Sequence, residues 1–244
     1  MQEISIRLKM IADLVTPGAR VADIGCDHAY TDIYLASKGE VGSIIAMDLR
    51  KGPLEKAREN VASAGFSDII ELRLSDGFEK LNKGETDTAI ISGMGGRLIT
   101  SIIEKGEAVF TEGYRLILSP QTEPDILRNY LLEAGFVIED EDMCFDEGKY
   151  YVAIIARYTE NEIERKLTEE EALYGPVLIK NKNKVLLEYL DLEIKKRLKV
   201  IEELKNRISD NLRKDDQGFD EKKRSMDKRI DLLNKEIASI RHIF

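Results

Sequence analysis

The chain has 244 residues, 43% of them hydrophobic, which suffices for one large domain or for an ordinary domain with an appendage. No apolar run approaches the ~20 residues that a membrane-spanning helix needs, and the N-terminus lacks the basic-then-apolar build of a secretory signal. Its two cysteines, Cys26 and Cys144, exclude a disulfide framework and a cysteine-based zinc site, so we expect no metal and a reducing, cytoplasmic compartment.

The charge of the chain is unevenly distributed. The net charge of −9 argues, taken alone, against a polyanionic partner. Residues 1–160 carry 17 basic and 28 acidic side chains, whereas residues 161–244 carry 20 basic and 18 acidic ones. The C-terminal part is therefore the less repulsive one for a nucleic acid.

Seven short apolar runs predict β-strands in the first two thirds of the chain. Helical patterns lie between most of them, for example at Gly52–Ala64, Arg97–Lys105 and Pro124–Ala134. Strands that alternate with helices in this way predict βαβ units on a doubly wound, mostly parallel sheet. The predicted strands are Ala19–Ile24, Ser43–Met47, Ile69–Arg73, Thr88–Ser92, Arg115–Leu118, Phe136–Met143 and Tyr150–Ala156.

The last two predicted strands are an exception to the parallel arrangement. Only Phe145–Lys149 separates them, which is too short for a crossover helix, so we expect an antiparallel hairpin. A Rossmann-like sheet of seven strands that ends in such a hairpin is typical of S-adenosylmethionine-dependent methyltransferases rather than of nicotinamide-binding proteins. We predict that residues 1–158 form a domain of this kind.

Residues 159–244 are predicted to form a separate helical coiled-coil hairpin. Thr168-Glu169-Glu170-Glu171 is a capping-box pattern that starts a helix, and Gly175-Pro176 interrupts it. A helix over Asn183–Lys214 would be roughly 48 Å long, and Asp215–Asp220 is predicted to be the turn to a second, antiparallel helix. The second helix has apolar residues in the 4-3 steps of a coiled coil. The predicted apolar positions are Ile194, Leu198, Ile201, Ile208 and Leu212, then Met226, Ile230, Leu233, Ile237, Ile240 and Phe244.

The residues after the first predicted strand have the pattern of a ligand-binding turn. Gly25 allows the backbone to turn sharply and to approach a ligand, and Asp23 would lie beside the ligand's ammonium group. The second and third glycines of the nicotinamide fingerprint are absent, with Asp27 and Ala29 in their place. We therefore predict cofactor contacts from Asp23, Gly25, Cys26 and Asp27.

Three further signals follow the next three strands. Asp48 ends the second strand, where a carboxylate can accept hydrogen bonds from both ribose hydroxyls. Asp76 follows the third and can accept from an adenine amino group, and the glycines of Gly93–Gly96 let a flat substrate approach the methyl-bearing sulfur closely. The predicted cofactor contacts in these segments are Asp48, Leu49, Asp76, Gly77, Ser92, Gly93 and Met94.

Each of these residues also has a purely structural interpretation. An acidic residue at a strand end, such as Asp48 or Asp76, is often a turn or helix cap. Gly93–Gly96 is compatible with a simple turn, Cys26 with core packing and His28 with a helix cap. The coincidence of four signals at the carboxyl ends of four parallel strands favours a binding site.

On these residues the sequence resembles the bacterial tRNA (adenine-22-N1)-methyltransferase family, over nearly the whole chain. It departs from the family pattern at Cys26, at Thr31-Asp32, at Ser92 and at Ser119-Pro120-Gln121, and the last of these affects the substrate-facing wall. The motifs that carry the resemblance are Ile6-Arg7-Leu8, Asp23-Ile24-Gly25, Asp27-His28-Ala29-Tyr30, Gly52-Pro53-Leu54, Asp76-Gly77, Gly93-Met94-Gly95-Gly96 and Tyr174-Gly175-Pro176.

The resemblance implies methyl transfer from S-adenosylmethionine to N1 of a tRNA adenine, with the helical hairpin gripping the RNA. N1 already has an in-plane lone pair, so alignment and desolvation are needed rather than a strong base. Because N1 faces its Watson–Crick partner, the base must be unpaired or flipped out. We predict Asp27, accepting from N6, and the neighbouring His28 as catalytic residues. The predicted substrate contacts are Arg7, Lys9, Tyr30, Gly95, Gly96, Pro120 and Gln121.

Other functions remain open at this stage. A small-molecule or protein methyltransferase would use the C-terminal helices for oligomerisation. We favour a monomer that binds tRNA and does not bind a membrane. A non-catalytic RNA-binding scaffold would have damaged cofactor positions, whereas Asp23, Gly25, Asp48 and Asp76 are intact. The basic residues of the tail either contact phosphates or form the solvated face of the hairpin. These residues are Lys195, Lys196, Arg197, Lys199, Lys222, Lys223, Arg224, Lys228 and Arg229.

Overall fold

The computed structural model describes residues 4–211 and 219–244, and the chain divides into two compact units between Lys180 and Asn181. Met1-Gln2-Glu3, Leu212 and most of the predicted turn lie outside the described residues, while Phe219 and Asp220 already belong to the last helix. Within the described ranges, no helix is both long and apolar enough to span a membrane.

The first unit is built on one seven-stranded sheet. Its strand order is β3-β2-β1-β4-β5-β7-β6; β1 to β5 are parallel, and β7 pairs antiparallel with β5 and β6. This arrangement confirms the predicted doubly wound sheet with a final hairpin. The strands are β1 Arg20–Ile24, β2 Ser43–Asp48, β3 Ile70–Leu74, β4 Thr88–Gly95, β5 Arg115–Thr122, β6 Phe136–Asp146 and β7 Lys149–Tyr158.

The turn between β6 and β7 is tighter than predicted. Strand β6 continues to Asp146 and β7 begins at Lys149, so Glu147 and Gly148 alone form the turn. Both have left-handed backbone, with φ of 46° and 81°. Two consecutive positive φ values are typical of the two-residue turns whose twist matches that of a hairpin.

Helices cover both faces of the sheet. The first three helices of the chain pack on one face of the sheet, against strand residues such as Val21 and Ile90, and form one apolar cluster. The next two helices pack on the other face, against residues such as Ala22 and Ile91, and form a second cluster. This alternation follows from the two-residue period of a strand. The helices of this unit are α1 Ile6–Asp13, α2 Tyr30–Lys38, α3 Lys51–Ala64, α4 Gly96–Lys105, α5 Pro124–Glu133, α6 Glu169–Tyr174 and α7 Pro176–Lys180, with a 3₁₀ turn at Glu107–Val109.

A buried ion pair holds α6 and α7 in the first unit. Arg128 Nε donates to Glu141 Oε1 at 2.7 Å, and both side chains are buried. Arg128 Nη1 also donates to the carbonyl of Ala172, and Glu141 Oε2 accepts from the amide of Val177. A Cβ on Gly175, whose φ is 95°, would lie 2.6 Å from Glu141 Oε2. The helical unit therefore starts near residue 181, later than the predicted boundary between residues 158 and 159. The capping box predicted at Thr168 is confirmed at the start of α6.

The second unit consists of α8 Lys184–Asn211 and α9 Phe219–Arg241. Arg197 Nε donates to Glu236 Oε2 at 2.8 Å, and Lys182 Nζ donates to the carbonyl of Phe244 at 3.1 Å, so the two helices run antiparallel. The predicted positions Ile194, Ile201, Ile230, Leu233, Ile237 and Ile240 are buried. Leu198 and Phe244 are 45% and 49% exposed, so their predicted place in the apolar seam is wrong.

Candidate cofactor and substrate site

A cleft of about 550 Å³ opens at the carboxyl ends of β1 to β4, which is a normal size for a ligand site. It is the region in which open α/β sheets bind their ligands. Fifteen of the predicted site residues line it: Arg7, Asp23, Gly25, Cys26, Asp27, His28, Tyr30, Asp48, Leu49, Asp76, Gly77, Ser92, Gly93, Met94 and, from β5, Gln121.

The first residue of the loop after β1, Gly25, has a backbone conformation and a close contact that require glycine. Gly25 has a φ of 82°, and a Cβ there would lie 2.3 Å from Met94 Cε. Its amide donates to the carbonyl of Met47 at 2.7 Å, which bends the loop over the end of β2. Asp27 and Ala29 are also left-handed, with φ of 50° and 59°. These three residues with left-handed backbone bend the loop so that its main chain lines the cleft.

Two buried carboxyl groups lie at the base of the cleft. Asp48 Oδ1 accepts from the amide of Arg50 at 2.8 Å, and Oδ2 accepts from the amide of Asp27 at 3.3 Å. Burial, and then the charge of Asp48, raises the pKa of Asp23 to about 7, while a hydrogen bond from Asp32 opposes the rise. Burial raises the pKa of the Cys26 thiol, and the surrounding carboxylates raise it further. Cys26 therefore packs as a neutral thiol.

The third carboxylate, Asp76, is near the surface of the cleft. Ser75 Oγ donates to the carbonyl of Gly77 at 2.9 Å and accepts from the amide of Lys80 at 3.1 Å, which fixes the turn around Asp76. Asp76 itself lies 3.9 Å from Lys105 Nζ. The exposed apolar side chain of Leu49 also lines the cleft and offers a surface for a flat ring.

Asp27, His28 and Tyr30 form a group at the mouth of the cleft. Asp27 Oδ2 is 3.8 Å from His28 Nε2, and Asp27 Oδ1 is 3.6 Å from Arg50 Nη2. The rings of His28 and Tyr30 meet edge to face with centroids 5.9 Å apart. The residue that caps α2 is Ala29, without a side-chain hydrogen bond, so His28 is not a helix cap.

Arg7 and Gln121 form the opposite rim. Arg7 is held at the start of α1 because its amide donates to Asp146 Oδ2 and its guanidinium lies 5.3 Å from the ring centre of Tyr151. A Cβ on Gly93 would lie 3.7 Å from Arg7 Nη1 and 3.9 Å from Gln121 Nε2. A cation and an amide thus face the glycine at the end of β4.

Four predicted substrate residues do not line the cleft. Lys9 pairs with Asp13 on the surface of α1, and Pro120 is buried in β5 beside Met94. A Cβ on Gly95 would lie 3.0 Å from Thr122 Oγ1, and one on Gly96 would lie 2.3 Å from the carbonyl oxygen of Glu123. The two glycines are therefore needed for packing between β4 and the turn after β5. Contact of Lys9, Gly95, Gly96 and Pro120 with the substrate stays a prediction.

Seven lining residues were not predicted from the sequence. Four of them are apolar side chains, whose residue type alone does not indicate a ligand. Arg50 is a charged residue two positions after the strand-end carboxylate Asp48, and it lies within 4 Å of both Asp27 and Asp48. The seven residues are Leu8, Ile24, Thr31, Arg50, Ser75, Leu98 and Ile102.

The sheet order, the reversed strand β7 and the buried acids after β1 and β2 define a class of protein, the S-adenosylmethionine-dependent methyltransferases. The family model for tRNA (adenine(22)-N(1))-methyltransferase matches residues 21–234. The chain belongs to this family, which favours tRNA over a small-molecule or protein substrate.

Individual relatives agree with this assignment. The tRNA (adenine(22)-N(1))-methyltransferase of Bacillus subtilis (strain 168) is 33% identical over 204 residues, which are 83% of this chain and 86% of the relative. The crystal structure of the B. subtilis m1A22 tRNA methyltransferase TrmK superposes with a TM-score of 0.74 at 30% identity, covering 97% of this chain and all of the other. Streptococcus pneumoniae Sp1610, solved in complex with S-adenosyl-L-methionine, has a TM-score of 0.73 at 30% identity and covers 96% of this chain and 100% of its own.

Proposed function

We propose that this chain methylates N1 of adenine 22 in tRNA, in the cytoplasm, and that the cleft at the ends of β1 to β4 is its active site. The observation that carries the proposal is the convergence of four strand-end signals on one cleft, in a chain of this family. The aromatic and charged group at its mouth supports a nucleobase as the second ligand.

The acidic residues of the cleft fit the three polar parts of the cofactor. Asp23 suits an ammonium group, because a buried carboxylate that forms no ion pair with any described residue gains most from a cation. Asp48 suits the ribose hydroxyls, Asp76 the adenine amino group, and Leu49 the face of the adenine ring. When bound, S-adenosylmethionine supplies a methyl group on a positively charged sulfur.

The residues at the mouth suit the target adenine. Methylation at N1 makes the adenine a cation, so a carboxylate that accepts a hydrogen bond from N6 stabilises the charge as it develops. We propose Asp27 as this carboxylate, because it lines the cleft and because Arg50 and His28 beside it limit its movement. We propose that Tyr30 stacks on the base and that Arg7 contacts a phosphate, since both line the same cleft.

We propose that the second unit contacts the RNA backbone through basic residues of α8 and α9. In α8, Lys195 pairs with Asp191, Lys196 with Glu193, and Arg197 with both Glu193 and Glu236. A phosphate contact from any of these three residues would compete with its carboxylate partner. We expect the phosphate contacts to make RNA binding strongly dependent on salt. The basic residues are Lys195, Lys196, Arg197, Lys199, Lys222, Lys223, Arg224, Lys228 and Arg229.

The activity is tested by incubating the protein with methyl-labelled S-adenosylmethionine and an unmodified bacterial tRNA transcript. A second transcript that differs only by guanine at position 22 is the matched control. We expect label in 1-methyladenosine from the first transcript and none from the second. Equal labelling of both would contradict the target position, and no labelling of RNA despite cofactor binding would point to a small-molecule or protein substrate.

The role of Asp27 is tested with Asp27→Gly, because glycine accepts the φ of 50° and removes only the side chain. We expect kcat to fall roughly 10- to 100-fold, the loss of one charged hydrogen bond, while affinity for S-adenosylhomocysteine changes little. Asp27→Asn keeps a hydrogen-bond acceptor without the charge, so its kcat should lie between those of Asp27→Gly and the natural chain. An Asp27→Gly variant with unchanged kcat would remove Asp27 from the mechanism.

A further inference from the structure

Asp32, in the first turn of α2, is an acidic residue that the proposed function does not use. It is 0% exposed and does not line the cleft. Within the described residues, neither of its carboxyl oxygens accepts a hydrogen bond from an N–H or O–H of another residue. An ionised carboxylate in such a place would lack both water and donors, which is a costly arrangement.

The polar neighbour of Asp32 is Asp23, which lies within hydrogen-bonding contact of it. Two carboxyl groups can form such a contact only when one of them keeps its proton. Asp32 is fully buried, and its carboxyl oxygens accept no hydrogen bond from another described residue, whereas Asp23 lines the cleft. The negative charge is therefore better placed on Asp23 and the proton on Asp32. Burial and the charge of Asp23 raise the pKa of Asp32 in agreement with this assignment.

We propose that Asp32 is held as a neutral carboxylic acid whose O–H donates to Asp23, so that Asp23 is oriented and kept ionised to receive the ammonium group of the cofactor. Asp32 is then a positioning residue behind the site. This inference rests on the proposed cofactor role of Asp23. It explains how a nearly fully buried carboxylate, with Asp48 as a like-charged neighbour, remains available for a cation.

Among the described residues, this cluster of ionisable groups also includes Asp48 from β2, and Cys26 and Asp27 from the loop after β1. They are unchanged when only Asp32 is replaced. A difference in the pH profile of binding between Asp32 variants therefore reports on the Asp23–Asp32 pair.

Two variants separate the hydrogen bond from the charge. Asp32→Asn cannot ionise but keeps an N–H donor for Asp23, and Asp32→Ala has neither. Calorimetry with S-adenosylhomocysteine from pH 5.5 to 7.5 measures a ligand that carries the ammonium group. Methylthioadenosine has the same nucleoside and thioether without the amino-acid part, so it is the control for a folded and open cleft.

We expect Asp32→Asn to bind S-adenosylhomocysteine within about threefold of the natural chain, and Asp32→Ala to bind it about tenfold or more weakly, since a charged hydrogen bond is lost. The midpoint of the pH profile should move upward by about one unit in Asp32→Ala only. Methylthioadenosine should bind all three proteins alike.

Three results would overturn the inference, and a fourth would overturn the proposed cofactor site on which it rests. Equal loss in Asp32→Asn and Asp32→Ala would mean that the negative charge of Asp32 is what matters. A parallel loss of methylthioadenosine would mean that Asp32 only supports the fold. If the natural chain bound methylthioadenosine but not S-adenosylhomocysteine, the pair would have no role toward the ammonium group; if it bound neither, the cofactor site itself would be misplaced.

Discussion

Replacing Gly25 with alanine distinguishes a glycine needed for the turn from one needed for the cleft. Gly25 has a φ of 82°, and an added Cβ would lie 2.3 Å from Met94 Cε. Gly18 has nearly the same backbone, with a φ of 81°, but nothing lies within 4 Å of an added Cβ. Gly18→Ala therefore carries the same backbone strain without the steric contact, and it is the matched control.

The two variants should have similar stability. A Cβ in the left-handed region costs about 1–2 kcal/mol, and both variants incur this cost. The contact with Met94 adds about 1 kcal/mol or less, because the methyl group at the end of a flexible side chain moves more easily than backbone. For a chain of this size, the corresponding fall in the midpoint of thermal unfolding is roughly 2–4 °C for each kcal/mol.

The two variants should differ in ligand binding. Met94 lines the cleft, so its displacement changes the shape of the cofactor site. We expect Gly25→Ala to bind S-adenosylhomocysteine about tenfold more weakly, the cost of a methyl-sized misfit, with Gly18→Ala unchanged. Met94→Ala added to Gly25→Ala should recover part of the loss. Calorimetry beside urea unfolding measures both quantities, and equal affinities for Gly18→Ala and Gly25→Ala would refute the steric argument.

Three further variants test other parts of the structure. Arg128→Met should lower the free energy of unfolding by about 3–5 kcal/mol in urea titrations, because it leaves Glu141 charged and buried, while cofactor affinity persists. Asp48→Asn should weaken S-adenosylhomocysteine binding about tenfold in calorimetry, since one anionic acceptor is lost. Hydrogen bonds from Arg73 depress the pKa of Glu85 to about 2. These hydrogen bonds therefore stabilise the fold at pH values above the ordinary pKa of a glutamate, and the stabilisation is lost as pH falls from about 4 to about 2. In an acid titration of Arg73→Ala, this loss of stability between about pH 4 and about pH 2 should be absent.

Much of the sheet could be predicted because its signal is local. A strand buried on both faces is a short apolar run, and the ligand signals lie at the ends of such runs. Asp23 is the last residue but one of β1, and Asp48 is the last residue of β2. The hairpin followed from the length of one connector. Each of these inferences uses neighbours in sequence, which the chain displays without the fold.

The remaining features depend on contacts between distant residues. The place of α6 and α7 follows from Arg128 and Glu141, two charged residues that look like surface residues in the sequence. Gly96 looked like part of a substrate loop, but its role is set by the carbonyl of Glu123. Asp32 stood out in the sequence only as a departure from the family pattern, and the fold brings it against Asp23.

The carboxylate of Asp48 joins two segments of the chain, because one oxygen holds the amide of Arg50 and the other that of Asp27. Any ligand that hydrogen-bonds to this carboxylate draws charge away from both amide contacts at once. The amide resonances of residues 27 and 50 should therefore shift together in a nitrogen–proton spectrum as ribose hydroxyls arrive. These two resonances therefore report whether the cofactor site is occupied, without a label on either the cofactor or the RNA.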